Sequence, residues 1–151
     1  MTLVKAAKKA REIALKDAKT QNDDNLAFDE VWCLFDVDEH PRVNEARQMA
    51  RDNDINVAVS NPCFELWLLL HFRDSPGAQD RHAIQRMLKV HLPTFNKHVE
   101  FEALTGKYPE AKRRADSLQR QADADGEPTR NPTTGVYRLT SAIENSRVEH
   151  A

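Results

Sequence analysis

Two short apolar runs stand out in the first half of the chain, each bounded by polar residues. Val31 to Phe35 is a continuous run of five, and "INVAV", Ile55 to Val59, is nearly so. Short, β-branched and aromatic runs of this length fit strands covered on both faces, as in a parallel sheet. Between them Val43, Ala46, Met49 and Ala50 recur at helical spacing, which predicts a helix from about Arg42 to Asp52. Strand, helix and strand together have the size of a right-handed crossover unit. Upstream, Thr2 is placed to cap a helix from Leu3 to about Lys19. Downstream, Asn61-Pro62 reads as a helix start, with Asn61 as cap and Pro62 in the first turn. The following "CFELWLLLHF" is apolar nearly all round, so that helix is expected to be buried.

The second half carries helical periods only. They predict helices over Arg81–His91, Pro109–Ala122 and Thr133–Asn145, the last opened by a second Asn-Pro pair at Asn131. "DADGEPTRNPTTG" lies before that last helix and reads as a loop. The expected fold is α/β: a short parallel sheet over about residues 1–75 and a helical extension over about 76–151, in one domain. Two short strands do not make a stable sheet. The remaining strands are expected from upstream residues, from segments misread as helix, or from a partner chain.

Charge refines this picture. The formal net charge is only −2 over 151 residues, which signals neither nucleic acid nor membrane. Its distribution is uneven. Gln21 to His40 holds seven carboxylates and no Lys or Arg, whereas Arg81 to His98 holds four Lys/Arg, three His and no carboxylate. Such a layout suits a polyanion handled through a metal, and equally suits solvated helix faces. Cys33 and Cys63 lie in apolar runs and read as buried small hydrophobes. No segment has the length and apolarity of a membrane span, and no signal peptide is visible, so a cytoplasmic protein is expected.

The candidate chemistry begins where the first strand ends, at "DVDEH". If the chain stays extended, Asp36 and Asp38 point the same way. Open α/β sheets place ligands at the carboxyl ends of their strands. Two hard carboxylates there suit Mg²⁺ or Mn²⁺. The alternative, that these acids only end a strand and start a helix, stays open at this point. Of the chemistries that follow a strand with D-x-D, haloacid-dehalogenase-type phosphatases fit poorly with His40 in place. Receiver domains need acids on an earlier strand. The Toprim pattern fits best. Glu65 falls inside the buried helix, where a carboxylate must be paired, hydrogen-bonded or on a metal. His71 lies on the same helix and reads more simply as a core histidine.

"VWCLFDVDEH" followed by "VAVSNPCFELWLLLHF" resembles the RloB-like family, which has a Toprim-like core. "FNK" around Lys97 and "NPTTGVYRL", Asn131 to Leu139, resemble its later motifs. Members occur beside restriction–modification genes and in abortive-infection systems. The resemblance implies an anti-phage, metal-dependent nuclease of Toprim type. Its metal would sit on Asp36 and Asp38, with Glu39 beside them. Asp36, Asp38, Glu65 and His71 become the catalytic candidates. Asn61, Lys97, Arg113 and Asn131 become candidates for phosphate contact, helped by Arg81, Arg86, Lys89, Lys112 and Arg114. Nucleic acid is the implied partner, together with a second copy or a defence-complex subunit. A Toprim site also uses a glutamate after an earlier strand. Here "MTLVKAAKKAREIA" resembles the helix that follows that block, and no strand ending in Glu precedes Val31. The chain is therefore expected to lack the first strands and that glutamate. The alternative role is an inactive regulatory or assembly subunit.

Overall fold

A computed structural model describes residues 2–96 and 98–149. Among them are six α-helices and a three-stranded mixed sheet. Helix α1 spans Leu3–Gln21, capped by Thr2, whose Oγ1 accepts from the Lys5 N–H at 3.4 Å. Strand β1 is Trp32–Asp36, helix α2 Val43–Asp52 and strand β2 Asn56–Asn61. The expected crossover unit is present, with both strands displaced one or two residues towards their polar ends. β1 and β2 run parallel, pairing Trp32 with Asn56 through to Asp36 with Ser60.

Alternation divides the sheet into two faces. Cys33, Phe35 and Val59 pack with Val4, Val43, Ala50 and Ile55 under α1 and α2. The opposite face carries Trp32, Leu34, Asp36, Ala58 and Ser60. That face is covered at Ala58 and Ser60 but leaves Leu34 40% exposed, so β1 is not buried on both sides as its apolar run suggests.

The third strand comes from a segment expected to be helix. β3 is Thr133–Thr134, antiparallel to Ser60 and Asn61. The Ser60 and Thr134 hydroxyls bond at 2.9 Å in the buried sheet. Gly135 then passes so close to β2 that a Cβ there would meet Ala58 Cα and Val59 N at 3.3 Å. Its N–H donates to the Val59 carbonyl at 2.9 Å. This close passage turns the chain into α6, Val136–Glu149, which packs against β2. The helix expected from Thr133 thus begins three residues later, because Thr133 and Thr134 spend their backbone groups on the sheet.

Both Asn-Pro pairs, Asn61-Pro62 and Asn131-Pro132, are cis peptides. Neither starts a helix. Asn61 is the last residue of β2, and α3 is only Glu65–Leu69, with Phe64 at its cap position. The helical half is completed by α4, Arg81–His91, and α5, Tyr108–Ala124. Asp80 caps α4, its side chain accepting from the Ala83 N–H at 2.9 Å. Leu66, Leu69, Leu70, Ile84 and Leu88 are fully buried in a second core with Ala111, Ala115 and Val136. Cys33 and Cys63 are buried free thiols, as expected. No helix among the described residues is long and apolar enough to cross a membrane.

Candidate functional site: the acidic end of the parallel strands

The chain leaves the extended conformation directly after Asp36. Val37–Glu39 form a single 3-10 turn, closed by the His40 N–H donating to the Val37 carbonyl at 3.2 Å. The expected same-side alignment of Asp36 and Asp38 therefore does not form. Asp36 is half-buried, while Asp38 is exposed on the turn. The acids do not cap α2 either, since Arg42 occupies its cap position without a side-chain bond.

What converges on Asp36 is a different set. Arg81, the first residue of α4, reaches back across the strand ends. Its Nη2 lies 3.4 Å from Asp36 Oδ2 and its Nη1 2.9 Å from Glu39 Oε1. Arg81 was expected to face phosphate; instead it bridges two acids. Even so, burial and the nearby charges of Glu65 and Glu39 hold the Asp36 carboxyl above its usual range. The strand ends thus carry more negative charge than Arg81 neutralises.

Glu65 is buried, as the sequence suggests, but as the first residue of a five-residue helix. The Gln85 amide donates to its Oε1 at 3.1 Å. Burial, with the Glu65 charge behind it, pushes the neighbouring Cys63 thiol up to about 12, so it stays neutral. Gln85 and Arg81 sit four residues apart on α4, one facing each acid. Sequence reasoning missed Gln85 altogether. Its spacing from Arg81 was the available signal.

The other candidates lie elsewhere. His71 is buried beside Trp67, its Nδ1 donating to the Trp67 carbonyl at 2.9 Å and its ring edge-on to the indole. Burial lowers its pKa. Asn61 donates to the Thr129 carbonyl at 2.7 Å, and Asn131 donates to the Gln79 carbonyl at 2.6 Å. Both side chains tie loops together, and neither residue stands at a helix start where backbone N–H groups would be offered. Arg113 pairs with Glu110 at 2.9 Å on the surface of α5. It lines a cleft of about 670 Å³ between α5 and α6 with Lys112, Arg120 and Arg138, apart from Asp36 and Glu65. Lys97 lies outside the described residues.

Among the described residues no three His, Cys, Asp or Glu side chains stand ready to hold a metal ion. A cage of side chains is therefore not what these residues fit. Mg²⁺ is commonly held by only one or two carboxylates, with waters and substrate phosphate completing its shell. Asp36 and Glu65, hard oxygen donors in a site of surplus negative charge, fit that mode.

Comparison with curated proteins and with solved structures returns no match. A family model described as RloB-like protein matches residues 1–143, so the chain belongs to the RloB-like family.

Proposed function

We propose that this RloB-like protein is a metal-dependent phosphodiesterase acting on nucleic acid in anti-phage defence, with its site at the Asp36 end of the parallel strands. The observation that carries the reading is the surplus negative charge there. Asp36 ends a parallel strand beside buried Glu65 and stays above the usual carboxylate range despite Arg81. Asp36 and Glu65 would hold Mg²⁺ or Mn²⁺, which when bound stabilises charge on a phosphoryl oxygen and acidifies a water. Gln85 holds one oxygen of the Glu65 carboxylate and so orients it. Arg81 offers a planar guanidinium at the rim, a group that suits a phosphate as well as a carboxylate. Its Nε is buried and has no hydrogen-bond partner among the described residues, which leaves a donor at the site. Asp38 and Glu39, both exposed, would meet the metal's outer waters rather than the metal. The cleft of Lys112, Arg113, Arg120 and Arg138 supplies charge for flanking phosphates.

The test is cleavage of DNA and RNA in Mg²⁺ or Mn²⁺. Asp36→Ala is expected to abolish it, and Asp38→Ala to weaken it. Cleavage unchanged in both variants removes the site assignment.

A second reading, an inactive regulatory or assembly subunit, has one specific support. Arg81 already occupies the acids as their counter-ion. Binding that leaves DNA and RNA intact in every metal tested favours it.

A further inference from the structure

Helices α5 and α6 leave between them the cleft of about 670 Å³. Neighbouring helices ordinarily close on each other through apolar stripes. Here the α5 wall is Lys112, Arg113, Asp116 and Arg120, spaced so that they share one side of the helix. The α6 wall carries Arg138, Ser141 and Asn145 at the same kind of spacing. The described residues lining the cleft thus bring four cations and one acid, and cations on both walls oppose closure. Tyr108 of α5 ties the walls at this spacing, its hydroxyl 2.9 Å from Thr140 Oγ1 of α6. Pro109, Tyr137 and Ala142 give the cleft apolar surface between the charges, and Tyr137 is anchored in the second core.

Each cation has an acid within reach, and all four pairs lie in water. Arg113 meets Glu110 at 2.9 Å and Arg120 meets Asp116 at 2.7 Å, both within α5. The pairs that cross elements are looser. Lys112 lies 3.4 Å from Glu144 and Arg138 lies 3.9 Å from Asp123. Exposed pairs of this kind contribute little, so a phosphate can take their place. A separate observation shows the sign of the local field. Burial first, and then the charges of Arg51 and Arg138, hold the Arg47 guanidinium below its usual range, with Asp123 opposing them. Positive charge is in surplus near Arg138, the reverse of the balance at Asp36.

We infer that the α5–α6 cleft binds a nucleotide unit, a base together with its phosphate. Its volume lies in the range of small-molecule sites, about 300 to 1,000 Å³. Lys112 and Arg138, one from each wall and the loosest in their present pairs, take the phosphate. The base lies on Pro109, Tyr137 and Ala142, with Ser141 and Asn145 offering hydrogen-bonding groups to its edge. A bare phosphate would leave the apolar surface unused, and a purely apolar ligand would leave the cations unused. A free mononucleotide and a nucleotide within a strand share this chemistry. The inference rests on the proposed reading of this cleft as a phosphate contact and is independent of cleavage at Asp36.

Calorimetry on the full chain without divalent metal tests it. The probes are AMP, UMP, an adenine trinucleotide, adenosine and inorganic phosphate. A mononucleotide or the trinucleotide is expected to saturate one site, about tenfold or more tighter than adenosine or inorganic phosphate, and to weaken with added salt. Tighter mononucleotide assigns a free nucleotide to the cleft; tighter trinucleotide assigns a strand. Lys112→Ala and Arg138→Ala, at side chains 41% and 49% exposed, keep the fold and each weaken binding about tenfold. Arg138→Lys recovers part of the loss, and Asp36→Asn binds as the parent does. No saturable nucleotide binding, binding matched by inorganic phosphate, or affinity unmoved by both alanine variants overturns the inference. Binding lost in Asp36→Asn also overturns it, by placing the nucleotide at the strand ends. Nucleotide binding that persists where no metal yields cleavage upholds the inference and removes only the Asp36 assignment.

Discussion

Helix α3 joins two regions built on opposite terms. Its first residue, Glu65, belongs to the polar end of the sheet, held by Gln85. Its remaining residues, Leu66 to Leu69, belong to a dry core shared with Ile84, Leu88, Ala111 and Ala115. The dry core gains stability from packing alone. At the strand ends, Asp36 and Glu39 share Arg81, Glu65 has the Gln85 amide, and burial first, with the charges of Glu65 and Glu39 behind it, raises the Asp36 carboxyl. Stability is given up there and recovered a few residues away. Such a division is what a binding or catalytic site resting on a rigid support looks like.

The comparison breaks most readily on the dry side. Leu70 is fully buried, and Leu70→Ala is expected to lower the unfolding free energy by about 3 kcal/mol, read by urea denaturation. A loss below about 1 kcal/mol would mean that the core is looser than its burial implies. His71, in the same core, adds a pH dependence. Burial lowers its folded pKa, so the unfolded chain takes up the proton first. Stability is full above the ordinary histidine value near 6.5 and is lost as the pH falls through it towards the lowered folded value. His71→Asn, whose amide can replace Nδ1, flattens that slope; an unchanged slope points to another group.

The polar side responds to pH with the opposite sign. Removing the shared cation by Arg81→Gln is expected to destabilise by about 1 kcal/mol and to move the Asp36 carboxyl still higher, followed by carbon NMR. A carboxyl that does not move shows that Arg81 is not its counter-ion. Asp36→Asn sharpens the contrast. A raised carboxylate contributes stability that is present below its ordinary range and lost as the pH rises through its folded value. The variant is therefore expected to be more stable than the parent at pH 7, by no more than about 1 kcal/mol because the group is partly in water, and to lose that advantage at low pH. The smallest effect belongs to Arg113→Ala, expected within about 0.5 kcal/mol because its pair with Glu110 lies in water.

Sequence patterning located the elements well where one period ruled. α4 matches its expected bounds, and the strand–helix–strand unit lies where the apolar runs place it. It failed where tertiary contacts set the backbone. Asn61 and Asn131 both have the local signature of a helix cap, yet each precedes a cis proline, and Thr133 and Thr134 pair with β2 instead. Asp36 and Glu65 were each legible as acids in need of a reason beside apolar runs, although the sequence pairs Asp36 with Asp38 rather than with Glu65. The turn after Asp36 was not, since its 3-10 bonds follow no side-chain period. Arg81 lies 45 residues beyond Asp36, and only the folding of α4 back over the strand ends reveals it as their counter-ion.

The central claim is that surplus negative charge at Asp36 and Glu65 is a cation site. Titrating Mn²⁺ into the protein by calorimetry tests it without requiring a substrate. One saturable site in the parent that is absent in Asp36→Asn, with the fold intact, is the predicted result. Heats that are absent in both, or identical in both, contradict it.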